Sequence, residues 1–367
     1  MQKIEKITGN QLGFVLFTFV MSTIILSLPG LMVMFAKQDA WLSVFPSITT
    51  GLLSIWVMTI LAKRYPGLTI IQYSSKILGK WLGTLLGIYY IYFWYISISV
   101  MTIQHAVFIN TLLLPKSPFI VGSLTLLLLS SVVVITGIEA IGRCTEFHTL
   151  LYLIFLIPLF FLMIRDADIQ QIKPILADGI VPVLQGSIIP SGAFMNQLFV
   201  LGWLIPYLNH PEKARKVSLI AFFGIISFIF IIVIITIMVL GPLTGKLNYS
   251  FLSVIQYIGV QGSFERLEAI AVSMWVMGYF TKVSVSLFII CLSISQLSGI
   301  RNYRDIVYPT ALFCLIGSFW IFKNSVEIIS YLTFIYPSSG FFTQSLIPLS
   351  LLLIDTIKRK VSNSSVS

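Results

Sequence analysis

The sequence predicts an all-α integral membrane protein of about ten transmembrane helices, and three observations carry that reading. Of its 367 residues, 57% are hydrophobic and only 10% charged, against the roughly one quarter charged in an ordinary soluble domain. Runs such as "VGSLTLLLLSSVVVI" and "LIAFFGIISFIFIIVIITIMVLG" are near the ~20 residues that carry a helix across a bilayer. These runs are solidly apolar rather than alternating, which argues against a strand-built barrel.

Spans are expected near residues 10–36, 41–62, 81–113, 119–138, 147–164, 187–208, 217–240, 264–298, 306–322 and 330–357. The opening "MQKIEKITGNQLG" leads directly into the first of these. That apolar segment is too long for a signal-peptide core and lacks a small-residue cleavage site, so it is expected to be retained. Fifteen loop lysines and arginines fall on the side of the N-terminus and seven on the other, which puts both termini in the cytoplasm. The net charge of +10 is therefore a topology signal rather than a nucleic-acid surface. Lys282 is the one basic residue that neither side claims.

Two connections are more than turns. "PGLTIIQYSSKILGKWLG" has the pattern of an amphipathic helix lying against the cytoplasmic face. "RDADIQQIKPILADGIVPVLQG" is long and acidic, is placed outside, and divides the chain into halves of five spans, residues 10–165 and 187–357. The tail, 358–367, ends in "SNSSVS" and reads as disordered and cytoplasmic.

Each half opens on an interrupted apolar segment: "STIILSLPGLM" with Pro29 and Gly30, and "GSIIPSGAFMNQLF" with Pro190 and Gly192. Proline removes a backbone donor and glycine tolerates unwound conformations. Non-helical backbone at membrane depth survives where protein or a watery cavity supplies partners. An odd number of spans per half inverts the second against the first, so matched breaks mark an inverted-repeat binding site. A proline bend without any ligand is the alternative.

Lys282 lies in "WVMGYFTKVSVSLFIICLSI". At ~1.5 Å per residue it is roughly 25 Å from Glu265 and from Arg301, too far for its stem to snorkel to water. A charge at that depth must face the bundle interior, find polar partners or lose its proton.

The remaining candidates are weaker. "TGIEAIGRCTEF" spaces Glu139, Arg143 and Glu146 for an ion-pair ladder or a gate. "FERLEAI" puts Glu265 and Glu268 at a helix start, where acids favour the N-terminal dipole. His105, His148 and His210 fall on separate segments, and Cys144, Cys291 and Cys314 are scattered. Neither a catalytic constellation nor a metal cluster is indicated, so the expectation is a non-enzyme without cofactor.

In their order and spacing, "DAWLSVFPS", "RYPGLTIIQYSSKILGKWLG", "LLLPKSP", "TGIEAIGRCTEF", "LIPYLNHPEKARK" and "FERLEAIAVSMWVMGYFTKVSVSLF" carry a resemblance to a known family. The chain resembles the B subunits of the nutrient germinant receptors of spore-forming bacteria, within the amino acid, polyamine and organocation transporter superfamily. The resemblance covers nearly the whole chain. It implies a leucine-transporter-like five-plus-five inverted repeat with first and sixth helices broken at mid-membrane. It implies a membrane-embedded germinant pocket, an A-type membrane subunit and a C-type lipoprotein as partners, and the spore inner membrane as location. Where many members of that family carry a glutamate in the sixth helix, this chain reads "MNQL", with Asn196 and Gln197. Neutral amides cannot neutralise a ligand's ammonium group, which shifts weight from an amino acid toward a sugar or nucleoside.

In the implied fold the eighth helix packs beside the broken first, where sodium-coupled relatives hold a cation. The ammonium of Lys282 is expected to substitute for that cation, donating to carbonyls around Ile24 to Leu28 and to Ser27; a ligand-touching or proton-carrying lysine and a purely structural one are the alternatives. The pocket is expected between the two breaks. Its candidates are Thr23 and Ser27 from the first span, Ser97 and Met101 from the third, Ser191, Gly192, Asn196 and Gln197 from the sixth, and Trp275 and Tyr279 from the eighth. Helix packing is the alternative for each. The leading reading is a nutrient sensor; the alternatives are a proton-coupled or other small-solute permease, and a scaffold with a vestigial pocket.

Overall fold

A computed structural model describes residues 5–24, 27–261, 267–322 and 325–364. Eight of its helical stretches are long and apolar enough to cross a membrane, and Gly9–Ile24 is a shorter apolar helix. The expected first span is divided in two, α1 (Gly9–Ile24) and α2 (Leu28–Ala36). A 3-10 segment, Lys37–Ser43, then leads into α3 (Val44–Arg64). The amphipathic segment forms α4 (Ile70–Leu78), entered through a capping box between Thr69 and Gln72. It is followed by the long α5 (Lys80–Leu112).

Helix α6 (Phe119–Thr136) joins α7 (Ile138–Ile164) through Gly137 alone, at φ +113°, a conformation that favours glycine. The expected fifth span thus begins nine residues early, and "TGIEAIGRCTEF" lies on the Gly137 turn and α7 rather than in a loop. Beyond it, Lys37 pairs with Asp178 at 2.8 Å and Asp39 accepts from the Leu176 amide at 3.0 Å, so the connection after α7 is pinned to the 3-10 segment that follows α2.

The sixth crossing starts as α8 (Val181–Ile189) and passes through a π-helical turn, Pro190–Phe194, and a 3-10 stretch, Met195–Val200. It closes with α9 (Leu201–Leu204) and a further 3-10 turn, Ile205–Tyr207. The expected unwinding at Pro190 is therefore a change of helical register. The Asn196 side chain donates to the Gly192 carbonyl at 2.8 Å and the Gln197 side chain to the Ala193 carbonyl at 2.6 Å. Carbonyls released by the altered register are satisfied from within the same segment, so the chain has no need to open.

The first break falls between Ile24 and Leu28. Pro29 and Gly30 sit in the opening turn of α2, after the interruption, where proline costs no backbone hydrogen bond. Gly30 donates its amide to Ser250 Oγ at 3.0 Å. A Cβ there would come within 2.9 Å of the Leu247 carbonyl, so close approach of the 241–247 segment is what requires glycine.

The second half continues through α10 (Ala214–Leu240), α11 (Ser250–Gln261) and α12 (Leu267–Ser298). After α13 (Val307–Trp320), the last crossing is assembled from α14 (Ser325–Ser330), a π turn Tyr331–Ile335, α15 (Tyr336–Phe341), a π turn Phe342–Leu346 and α16 (Ile347–Ser364). Helix α16 runs into the segment expected to be disordered, because Lys358 donates to the Ile77 carbonyl at 2.6 Å and Arg359 pairs with Asp355 at 3.0 Å. Residues 365–367 lie outside the described residues.

Burial sorts the crossings. In the most apolar windows, 89% of the sixth crossing and 83% of α12 are buried, against 33% of α6 and 28% of α7. The first pair forms the centre of the bundle, with α1 packed on α7, α10 and α12. The second pair turns Leu128, Leu129, Ile154 and Phe161 outward, as a lipid-facing surface requires. The protein is an integral membrane protein.

Candidate functional site

A cavity of about 60 Å³ lies where the first break, the sixth crossing, α5, α12 and the last crossing meet. That is room for roughly four to six waters or a compact solute. Helix α5 contributes Phe93, Trp94, Ser97, Val100, Met101 and Gln104, whose spacing of three and four places them on one helical face. The α1 side supplies Phe19 and Thr23, and the α2 side Ser27 and Leu31. The wall from the sixth crossing is Phe194, Gln197 and Phe199, with Phe199 stacked on Trp94 at 5.5 Å between centroids and 6° between planes.

Lys282 enters from α12. Its side chain is 3% exposed, and Nζ donates to Thr23 Oγ1 at 2.7 Å and to Gln197 Oε1 at 2.8 Å. The same atom lies 4.9 Å from the centroid of the Phe19 ring, a cation–π distance. One residue from each of the two broken crossings thus meets the lysine. The partners differ from the expected set: a hydroxyl one position before Ile24 and an amide from the sixth crossing, while Ser27 lines the cavity without a described bond to Nζ. Ile25 and Leu26, in the expected carbonyl window, lie outside the described residues.

Of the sequence-derived pocket residues, Thr23, Ser27, Ser97, Met101 and Gln197 line the cavity together with Lys282. Ser191, Gly192, Asn196, Trp275 and Tyr279 do not. Gly192 packs against the Pro337 carbonyl with no space for a Cβ, and Asn196 is spent on the backbone carbonyl of Gly192. Tyr279 acts one step back, donating to Gln104 Oε1 at 2.6 Å. Trp275 lines a smaller neighbouring cavity with His148 and Ser22, its ring tilted against Tyr279 at 4.1 Å.

The last crossing supplies Tyr331, Leu332, Tyr336 and Gln344, which sequence reasoning missed. The signal was there in "YPSSGFFTQSL", a third Pro and Gly interruption followed by a polar glutamine inside an apolar span. The two π turns of that crossing flank α15, which carries Pro337 and Gly340, and the second contains Gln344.

The end carrying both termini is tied by polar contacts. Glu5 pairs with Arg304, and Ile7 bridges to the end of the sixth crossing through its amide to the Tyr207 carbonyl at 2.8 Å. Asp355 accepts from Arg64 at 2.6 Å and from the Tyr65 hydroxyl at 2.5 Å. On α7, Arg143 pairs with Glu139 at 2.6 Å, whereas Glu146 accepts from Gln11 at 3.4 Å, so the expected ladder is split between two partners. Glu268 lies in the first turn of α12, while Glu265 is outside the described residues.

Fold and site together define a polytopic helical protein of the leucine-transporter-like class, with its cavity at the crossing of interrupted helices. Among solved structures, MhsT in complex with L-phenylalanine superposes with a TM-score of 0.66 at 12% identity, covering 94% of this chain and 87% of that one. MHP1, a nucleobase-cation-symport-1 family transporter in a closed conformation with bromovinylhydantoin bound, gives 0.66 at 13% identity over 92% and 79%. At these identities the likeness is one of fold.

Residues 6–326 match the family described as spore germination protein, and the chain belongs to that family. Spore germination protein KB of Bacillus subtilis (strain 168) is 30% identical over 331 residues, 88% of this chain and 87% of that protein. Spore germination protein A2 of the same organism is 23% identical over 88% of each.

Proposed function

We propose that this chain is the nutrient-sensing membrane subunit of a spore germinant receptor, binding a small polar nutrient such as an amino acid, sugar or nucleoside in the central cavity. The observation that carries the reading is Lys282 held between Thr23 and Gln197 at the wall of that cavity. In this reading the ammonium takes the place of a bound cation, fixing α1 against α12 and the sixth crossing without sodium. A nutrient beside it shifts the arrangement of the crossings only by its differential affinity for two states, and the shift passes to an A-type membrane subunit and a C-type lipoprotein. Both termini are cytoplasmic and the membrane is the spore inner membrane.

The test uses detergent-purified chain and proteoliposomes in parallel. Nutrient-dependent thermal stabilisation, with no accumulation of the same nutrient in vesicles, is the expected result. Accumulation by the chain alone favours the second reading, a proton-coupled or other small-solute permease. For that reading the contacts at the terminal end, Glu5 with Arg304 and Ile7 with Tyr207, are the ones a transport cycle would break. Absence of any stabilisation, alone and with partner subunits co-expressed, rejects both.

A further inference from the structure

We infer that the cavity selects solutes bearing a carboxylate, and that the uncharged amide of Gln197 is what sets this charge class. The inference rests on the cavity reading above. Lys282 is 3% exposed, and taking an ammonium out of water costs several kcal/mol unless it is paired. Its hydrogen-bond partners, Thr23 Oγ1 and Gln197 Oε1, are both neutral. None of the described acidic residues lines the cavity, and no described acid pairs with Lys282. An ammonium at Lys282 thus has no counter-charge among the described residues, and a carboxylate on the solute would supply one.

Two further polar groups are left over. Trp94, whose ring packs edge-on against Phe19 at 6.4 Å, has an indole N–H with no acceptor among the described residues. Gln344, 1% exposed on the opposite crossing, has a side-chain oxygen with no donor among them. Buried polar groups that no protein group satisfies point to a partner from outside the chain. A carboxylate beside Lys282 and the Trp94 N–H, with a donor group toward Gln344, meets all three. The missing acid at positions 196 and 197, taken alone, favours a neutral sugar or nucleoside; with Lys282 in the balance, the same neutrality favours an anionic head group. An organic cation is excluded by like charge.

The probes are carboxylates and their uncharged amides: propionate against propionamide and L-valine against L-valinamide, with glucose and inosine as neutral polar solutes. Binding is read by thermal stabilisation and calorimetry on the full-length chain, its Gln197→Glu variant and its Lys282→Gln variant. The expected result is that at least one carboxylate binds tenfold or more tightly than its amide. Gln197→Glu, which places a carboxylate 2.8 Å-range from Nζ, should erase that preference, and Lys282→Gln should do the same without adding charge. Equal binding of acid and amide, or a preference that survives in both variants, overturns the inference. Stabilisation by glucose or inosine alone overturns it while leaving the cavity reading intact. Silence from every probe on monodisperse protein, alone and with partner subunits co-expressed, rejects both.

Discussion

Lys282 is the residue on which the centre of the molecule is organised, and its two bonds make opposing demands on stability. Replacing it with methionine relieves a desolvated ammonium but takes the donor from the Gln197 oxygen, at about 1–3 kcal/mol, while the Thr23 hydroxyl keeps its own donation to the Val20 carbonyl. Lys282→Met is therefore expected to fold, with a net stability change within about 2 kcal/mol, and to lose nutrient-dependent stabilisation; thermal melts with and without nutrient measure both. Loss of folding, or a normal response, counts against the role assigned to it. Tyr279 offers a contrast. Tyr279→Phe removes the donor to Gln104 Oε1 and should cost about 1–2 kcal/mol in melts, weakening nutrient binding only through Gln104.

The legibility of these residues in the sequence followed their chemistry. Lys282 stood out because a charge inside an apolar run has few places to go. Thr23 and Gln197 were polar residues on spans already marked by breaks, and Ser97 was a hydroxyl on the largely apolar third span. The aromatic lining, Phe19, Phe93, Trp94 and Phe199, was invisible, because an aromatic in a membrane helix is as suited to lipid or packing as to a cavity. Asn196 and Gln197 were adjacent and chemically alike, and only the register of the backbone separates one buried on Gly192 from one facing Lys282.

At the level of the element, the sixth crossing changes pitch at Pro190 where unwinding was expected. Proline and glycine signal that a regular helix cannot continue, but not whether the chain opens or changes pitch. Here the side-chain amides of the sixth crossing cover the carbonyls that a break would have left bare. Gly192 is also a contact point, since a Cβ would strike the Pro337 carbonyl, and at Gly340 one would strike the Gly192 carbonyl. Gly192→Ala is thus expected to destabilise by about 1–3 kcal/mol through overpacking, and Gly340→Ala similarly, as read in thermal melts. Because both substitutions disturb one contact, the double variant should cost less than the sum.

At the scale of the whole molecule, the crossings share a rim at the end bearing both termini. Asp355 joins α16 to α3 through Arg64 and Tyr65 and is itself 3% exposed. Asp355→Ala leaves Arg64 without its acid, and should cost about 2–3 kcal/mol; the figure sits below the range for a fully buried pair because Arg64 is 27% exposed. Glu5 and Arg304 form a second tie. Gln296 of α12 lines the same surface cavity as Glu5 and Arg304; charge reversal at either one should raise the reactivity of a cysteine placed at Gln296 toward a water-soluble thiol reagent, and reversal at both should restore protection.

The double use of Gln197 has a mechanical consequence. Its nitrogen closes the Ala193 carbonyl of the π turn while its oxygen holds Nζ of Lys282, so backbone pitch and charge placement are read by one side chain. A π turn carries an extra residue relative to α-helical pitch. Removing that residue from the turn would swing the following positions by about 100° around the helix axis, carrying Gln197 away from the lysine and Gly192 off its seat on Pro337. A solute that competes with Gln197 for the ammonium would bear on the same latch. Charge at the cavity wall and backbone pitch in the sixth crossing are thereby tied to one side chain.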